Sequence, residues 1–121
     1  MIAKAELIAV DRVGPTLIVT PISDLSEFDY EPIESGASHV LSILNDPSVR
    51  NIVVDFYRTD FFGSTALGFL VRLWKRVTER KGQMALCNVS KHEVEVLRVT
   101  KLDGLWPIVD SKVKALRMIG E

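Results

Sequence analysis

Two adjacent hydroxyls, Ser64 and Thr65, stand in the stretch Asp60-Phe61-Phe62-Gly63-Ser64-Thr65-Ala66-Leu67. A serine can act as a nucleophile, accept a phosphoryl group, or simply cap a helix. The nucleophile elbow needs Gly-x-Ser-x-Gly, and Phe62-Gly63-Ser64-Thr65-Ala66 keeps only the central serine. His39 and His92 are the only histidines, each on a separate expected helix, and no carboxylate is spaced to orient either as a general base. No His-Glu-x-x-His, phosphate-loop or dinucleotide fingerprint occurs. Cys87 is the only cysteine, which leaves neither an intrachain disulfide nor a thiolate metal cluster. The sequence therefore predicts a protein that is not an enzyme, with no catalytic residue, cofactor or metal, and turns attention to the two remaining uses of Ser64.

Capping is the ordinary use of a hydroxyl ahead of a helix, because the side-chain oxygen accepts a hydrogen bond from an otherwise unpaired first-turn amide. Phosphorylation is the informative alternative. A phosphate adds about −1.5 to −2 charges at neutral pH, and a helix N-terminus tolerates that anion because its free amides and positive dipole end point at it. The fold would survive and the surface would change. A partner docked on this turn through apolar or acidic groups would be repelled, a switch that needs no rearrangement of the chain itself.

The elements that must hold the turn are legible on either side of it. Asn51-Ile52-Val53-Val54-Asp55-Phe56 is a β-branched run with no polar alternation, as expected of a strand buried on both faces. Beyond the turn, Ala66, Leu70, Leu73 and Val77 recur at helical spacing, with Leu67 and Trp74 widening the stripe and Arg72, Lys75, Arg76 and Glu79 opposite. Ser64 or Thr65 is the expected N-cap of that helix and Gly82 its stop. Phe61 and Phe62 form an apolar pair at the joint, at least one of which belongs in the core. Asp55, at the end of a central strand, invites comparison with a phosphoryl-accepting receiver, but the first strand ends in Thr20-Pro21-Ile22 without the acidic cluster such a site needs. Cys87 reads as inert core.

In chain order, Ala5 to Val13 and Thr16 to Thr20 are expected strands around a Gly14-Pro15 turn, hence antiparallel. Pro21 to Pro32 reads as an acidic loop carrying Asp24, Glu27, Asp29 and Glu31 around Leu25, Phe28 and Tyr30. A helix is expected over Ile33 to Leu44. Gln83 to Cys87 is a further strand, and Ser90 with Glu93 three residues on forms a capping-box pattern for a helix carrying Val94, Leu97 and Lys101. Leu105 to Val109 is a last strand, confined to an edge by Pro107, and Ser111 to Met118 is a last helix with Val113, Leu116 and Met118 inward. The predicted fold is α/β, a mixed sheet of one antiparallel hairpin followed by parallel strands, with about four helices.

Composition agrees with one domain spanning residues 1–121: 47% hydrophobic and 26% charged residues are ordinary for a globular chain. A formal net charge of −1 gives no footing for nucleic acid or an anionic membrane. No apolar run approaches the ~18 residues of a membrane span, and the first residues lack a signal-peptide core, so the expected compartment is the cytosol.

Taken together, Ile52 to Phe56, Phe61 to Gly68, Lys81 to Ser90, Leu97, and Leu102-Asp103-Gly104-Leu105-Trp106-Pro107-Ile108 resemble the STAS domain of bacterial anti-sigma factor antagonists. The resemblance is specific from about Ile52 to Val109. It implies that the serine opening the long helix, Ser64 here, is phosphorylated by an anti-sigma factor that is itself a kinase, and that the unphosphorylated form binds this kinase and frees the sigma factor. Gly63 stands where the family has aspartate, and Ala66 where it has glycine. Those departures make Thr65 the second candidate acceptor. The expected contact surface is Phe61, Phe62, Gly63, Ser64 and Thr65 with Leu67 and Gly68 on the following helix, extended by the acidic loop. Two other uses of the same domain stay open: a scaffold that self-associates, as a homodimer or in a regulatory complex, and a small-molecule or nucleotide binder.

Overall fold

Strand alternation sorts the central side chains onto two faces of a sheet, and the computed structural model shows what covers each. It describes residues 8–22 and 30–120. The strands are β1 (Ile8–Val13), β2 (Thr16–Pro21), β3 (Asn51–Asp55), β4 (Met84–Cys87) and β5 (Ile108–Val109). They lie side by side in the order β1-β2-β3-β4-β5, β1 antiparallel to β2 and the rest parallel. The helices are α1 (Tyr30–Ile43), α2 (Ser64–Glu79), α3 (Lys91–Val99) and α4 (Lys112–Gly120), with a 3₁₀ turn at Leu102–Gly104. This is the expected α/β architecture: one hairpin, then parallel strands each reached through a helix.

Leu17, Val19, Ile52, Val54, Met84 and Leu86 face a large core with Ala37, Val40 and Leu44 of α1, Ala66, Phe69, Leu70, Leu73 and Val77 of α2, and Leu97 of α3. Val53, Ala85 and Cys87 face the other way, against Ala115 and Ile119 of α4. All five residues of β3 are buried, as the unalternating run predicted. On the larger face the ring of Trp74 meets that of Trp106 edge-on, with centroids 6.4 Å apart. No helix among the described residues is long and apolar enough to cross a membrane.

Several local expectations give way to the structure. The helix α1 begins at Tyr30 rather than Ile33; Pro32 then falls in the first turn, where its missing amide has no intrahelical partner to lose. At the other end of the expected acidic loop Pro21 closes β2, and the stretch carrying Asp24, Leu25, Glu27, Phe28 and Asp29 lies outside the described residues, as does the part of the first expected strand before Ile8. In α4 the inward residues are Ala115 and Ile119 with Leu116 partly covered, whereas Val113 and Met118 are exposed. Val94 of α3 is likewise exposed.

The end of α2 corrects a second point. The left-handed residue there is Lys81 (φ 63°), not Gly82, and the amides of Lys81 and Gly82 donate to the carbonyls of Thr78 and Val77, a Schellman closure. Gly82 is needed for closeness: a Cβ there would lie 1.7 Å from the Arg50 carbonyl oxygen. The basic side of α2 also makes contacts of its own. Arg72 pairs with Glu34 of α1 at 3.1 Å, Arg76 donates to Asn45 Oδ1, and Arg80 donates to the carbonyls of Asp46 and Val49, so these arginines fasten α2 to α1 and to the segment leading into β3.

Candidate functional site

The strand β3 delivers the chain to the carboxyl edge of the sheet, where loops of a parallel sheet gather. Its last residue, Asp55, is 4% exposed, and Oδ1 accepts from the Tyr57 amide at 3.1 Å and the Asn88 side-chain amide at 2.9 Å. Asp55 thus turns the chain and ties β3 to the end of β4, a structural task rather than the receiver role weighed from its position. Its neighbour Cys87 is buried, as expected, and burial, reinforced by the Asp55 carboxylate, pushes its thiol up to about 12.

After Asp55 the loop splits its aromatic rings between interior and surface. Phe62 is 1% exposed and packs on Phe56 at 5.3 Å. Phe61 is 37% exposed and lies flat against the imidazole of His92, with centroids 5.0 Å apart and an interplanar angle of 14°. Gly63 is buried and occupies the N-cap of α2 in an extended conformation, with no side-chain cap. Ser64 and Thr65 are therefore the first two helical residues rather than the cap; Gly63 has no side chain to compete with them, and its carbonyl accepts from the Leu67 amide at 3.2 Å. Ser64 and Gly68 are exposed, Thr65 and Leu67 half-buried. Of the seven residues assigned to the contact surface, five present side chain or bare backbone to solvent, while the Phe62 ring and Gly63 lie inside. The first turn of α2 carries no acidic residue, so its positive end is not neutralised from within that turn.

The loop is held from one side by the start of α3. Ser90 and Glu93 form the capping box read from the sequence: Glu93 N donates to Ser90 Oγ at 3.1 Å, and Ser90 N donates to Glu93 Oε1 at 3.0 Å. Two further bonds reach across. The Ser90 hydroxyl donates to the Asp60 carbonyl at 2.8 Å, and the hydroxyl of buried Thr59 donates to Glu93 Oε2 at 2.5 Å. Glu93 has no exposed surface at all, an extreme position for a carboxylate. Sequence reasoning found the box but not Thr59, because a contact between residues 34 apart leaves no local signal. The stacking of Phe61 on His92 escaped it for the same reason.

Beside this turn, a cavity of about 480 Å³ opens at the ends of β3, β4 and β5 between Tyr57, Asn88, Val89, Val94, Ile108 and Asp110. His39, the other histidine, is exposed on α1.

The STAS domain family matches residues 8–115. An anti-sigma F factor antagonist from Paenibacillus polymyxa is 30% identical over 90 residues, covering 74% of this chain and 77% of that protein. The structure of an anti-sigma-factor antagonist (STAS) domain protein from Planctomyces limnophilus superposes with a TM-score of 0.81 at 34% identity, covering 94% of this chain and 98% of that one. The Bacillus cell fate determinant SpoIIAA, solved in its phosphorylated form, shares the fold with a TM-score of 0.71 at 18% identity, over 92% of this chain and 97% of that one. A hairpin-led parallel sheet whose third strand opens through Phe61-Phe62-Gly63-Ser64 into its longest helix, matched over nearly all its described length, makes this chain a member of the STAS domain family, alongside the anti-sigma factor antagonists.

Proposed function

We propose that the chain is a cytosolic partner-switching regulator that binds an anti-sigma factor kinase through the turn Phe61 to Thr65 and is released from it by phosphorylation of Ser64. The observation that carries this reading is the exposure of Ser64 at the first position of α2. A kinase can reach its hydroxyl, the positive dipole end of the helix start favours an anion such as phosphate, and the charge would stand close to exposed Phe61, where an apolar contact would have to desolvate it. Relatives named as anti-sigma factor antagonists support the choice of partner.

Incubation with the anti-sigma factor kinase and ATP should add one phosphate, and Ser64→Ala should abolish the gain while Thr65→Ala keeps it. An unchanged mass in the unsubstituted protein rejects the switch. Ser64→Asp should weaken kinase binding, and unaltered affinity would remove the turn from the interface.

A second reading, a small-molecule binder, is favoured by the cavity at the ends of β3 to β5. A ligand held there at one hundred times its Kd would raise stability by about 2.7 kcal/mol, and a ligand screen with no shift in melting temperature would dismiss it.

A further inference from the structure

Three contacts to the loop ahead of Ser64 come from the start of a helix that the switch itself does not require. Thr59, Asp60 and Phe61 are each fastened to one turn of α3: Thr59 Oγ1 to Glu93 Oε2 at 2.5 Å, the Asp60 carbonyl to Ser90 Oγ at 2.8 Å, and the Phe61 ring to the His92 ring at 5.0 Å. The first contact is fully interior, with Glu93 0% and Thr59 5% exposed; the last lies at the surface. A carboxylate is rarely removed from water unless its acceptors are engaged, and here both oxygens of Glu93 are: one by its own helix, one by the loop. The residue that closes the α3 capping box therefore also sets where the loop lies.

We propose that Ser90, His92 and Glu93 are positioning residues for the Ser64 turn, forming a clasp by which the start of α3 holds the loop in the conformation that the anti-sigma factor kinase recognises. The inference rests on the kinase-binding reading above and extends it to residues on another helix. A loop hydrogen-bonded to a buried carboxylate loses less freedom on binding than a loose one. The clasp thus works on recognition of the turn and not on phosphoryl transfer. His92, exposed on α3, carries the contact surface outward from Phe61.

The test separates the clasp from the switch. Thr59→Val keeps the shape of the side chain and deletes the donor, whereas Thr59→Ser keeps the donor. In Thr59→Val, ¹⁵N order parameters at Asp60, Phe61 and Ser64 should drop from the rigid range near 0.85 toward 0.6 or below; Thr59→Ser should restore them, and Ala115→Gly, which loosens the opposite face of the sheet, should not move them. With the kinase and ATP, Thr59→Val should raise KM roughly tenfold at unchanged kcat, about what one hydrogen bond to a charged group is worth. Should Thr59→Val fail to fold, His92→Ala at the exposed end of the clasp should still raise KM and release the Phe61 ring. Order parameters in Thr59→Val indistinguishable from the unsubstituted protein, or an unchanged KM in either variant, would overturn the clasp. Wild-type protein that never gains a phosphate, but whose loop loosens in Thr59→Val, would reject the switch and leave the clasp standing.

Discussion

Neighbouring phenylalanines give the sharpest test of how the turn is built. Phe62 is 1% exposed against Phe56, and Phe61 is 37% exposed against His92. Truncating a buried phenylalanine to alanine costs about 3 to 5 kcal/mol in lost transfer energy and cavity formation. A chain of 121 residues has roughly 6 to 18 kcal/mol of total stability, so Phe62→Ala removes a large share of it. Its urea midpoint should fall by roughly 2 M at unchanged slope. Phe61→Ala gives up one stacking contact and a partial burial, about 1 kcal/mol. Binding should reverse the order: Phe61→Ala keeps the fold but removes an exposed aromatic ring from the proposed contact surface, and affinity for the proposed anti-sigma factor partner should drop roughly tenfold or more. The assay pairs urea denaturation followed by circular dichroism with calorimetric titration of the partner. Equal stability losses for the two variants would refute the division into core ring and surface ring. Normal binding by Phe61→Ala would remove that ring from the interface.

Glycines at two ends of the α2 region should respond to alanine in opposite directions. Gly82→Ala, forced to within 1.7 Å of the Arg50 carbonyl, should lower stability by about 2 kcal/mol or more, while Gly68→Ala, exposed in the helix with nothing near its added methyl, should raise it by about 0.5 to 1 kcal/mol; thermal melts decide both. Cys87 predicts an alkaline effect. The folded chain keeps the thiol proton to about pH 12, chiefly because the group is buried, whereas the ordinary value is 9.0. Unfolding between those limits releases a proton, so this contribution to stability declines as pH rises from about 9. Denaturant titrations of Cys87→Ala should show a shallower decline over that window, and identical pH profiles would contradict the assignment.

Much of this fold was legible because its signals are local and of one period. The buried run in β3, the apolar stripe of α2 and the Ser90-x-x-Glu93 box each specify their element within a few residues, and each matches the structure. The order of strands and their directions followed from short connections and helical crossovers. Misreadings concentrate where two local rules compete or where a distant partner decides. Pro32 reads from the sequence as the end of the acidic loop and lies instead in the first turn of α1. Ser64 looked like a cap because hydroxyls usually are, yet Gly63 fills that position through its backbone. Phe69 falls beside the predicted stripe and is nevertheless fully buried, since α1 and the sheet enclose more of α2 than a single stripe. At the site, the exposed serine was foreseeable from its place ahead of a helical pattern. The Thr59 to Glu93 bond was not, because nothing in either neighbourhood points to the other.

The edge-on indole pair has an optical consequence. Both tryptophans of the chain belong to that pair, so all indole emission arises at one seam between α2 and the approach to β5. Trp74 lies ten residues along the helix from Ser64, roughly 15 Å at the α-helical rise. Fluorescence is therefore blind to chemistry confined to the turn, and any spectral change on phosphorylation would mean that the long helix had shifted as a rod.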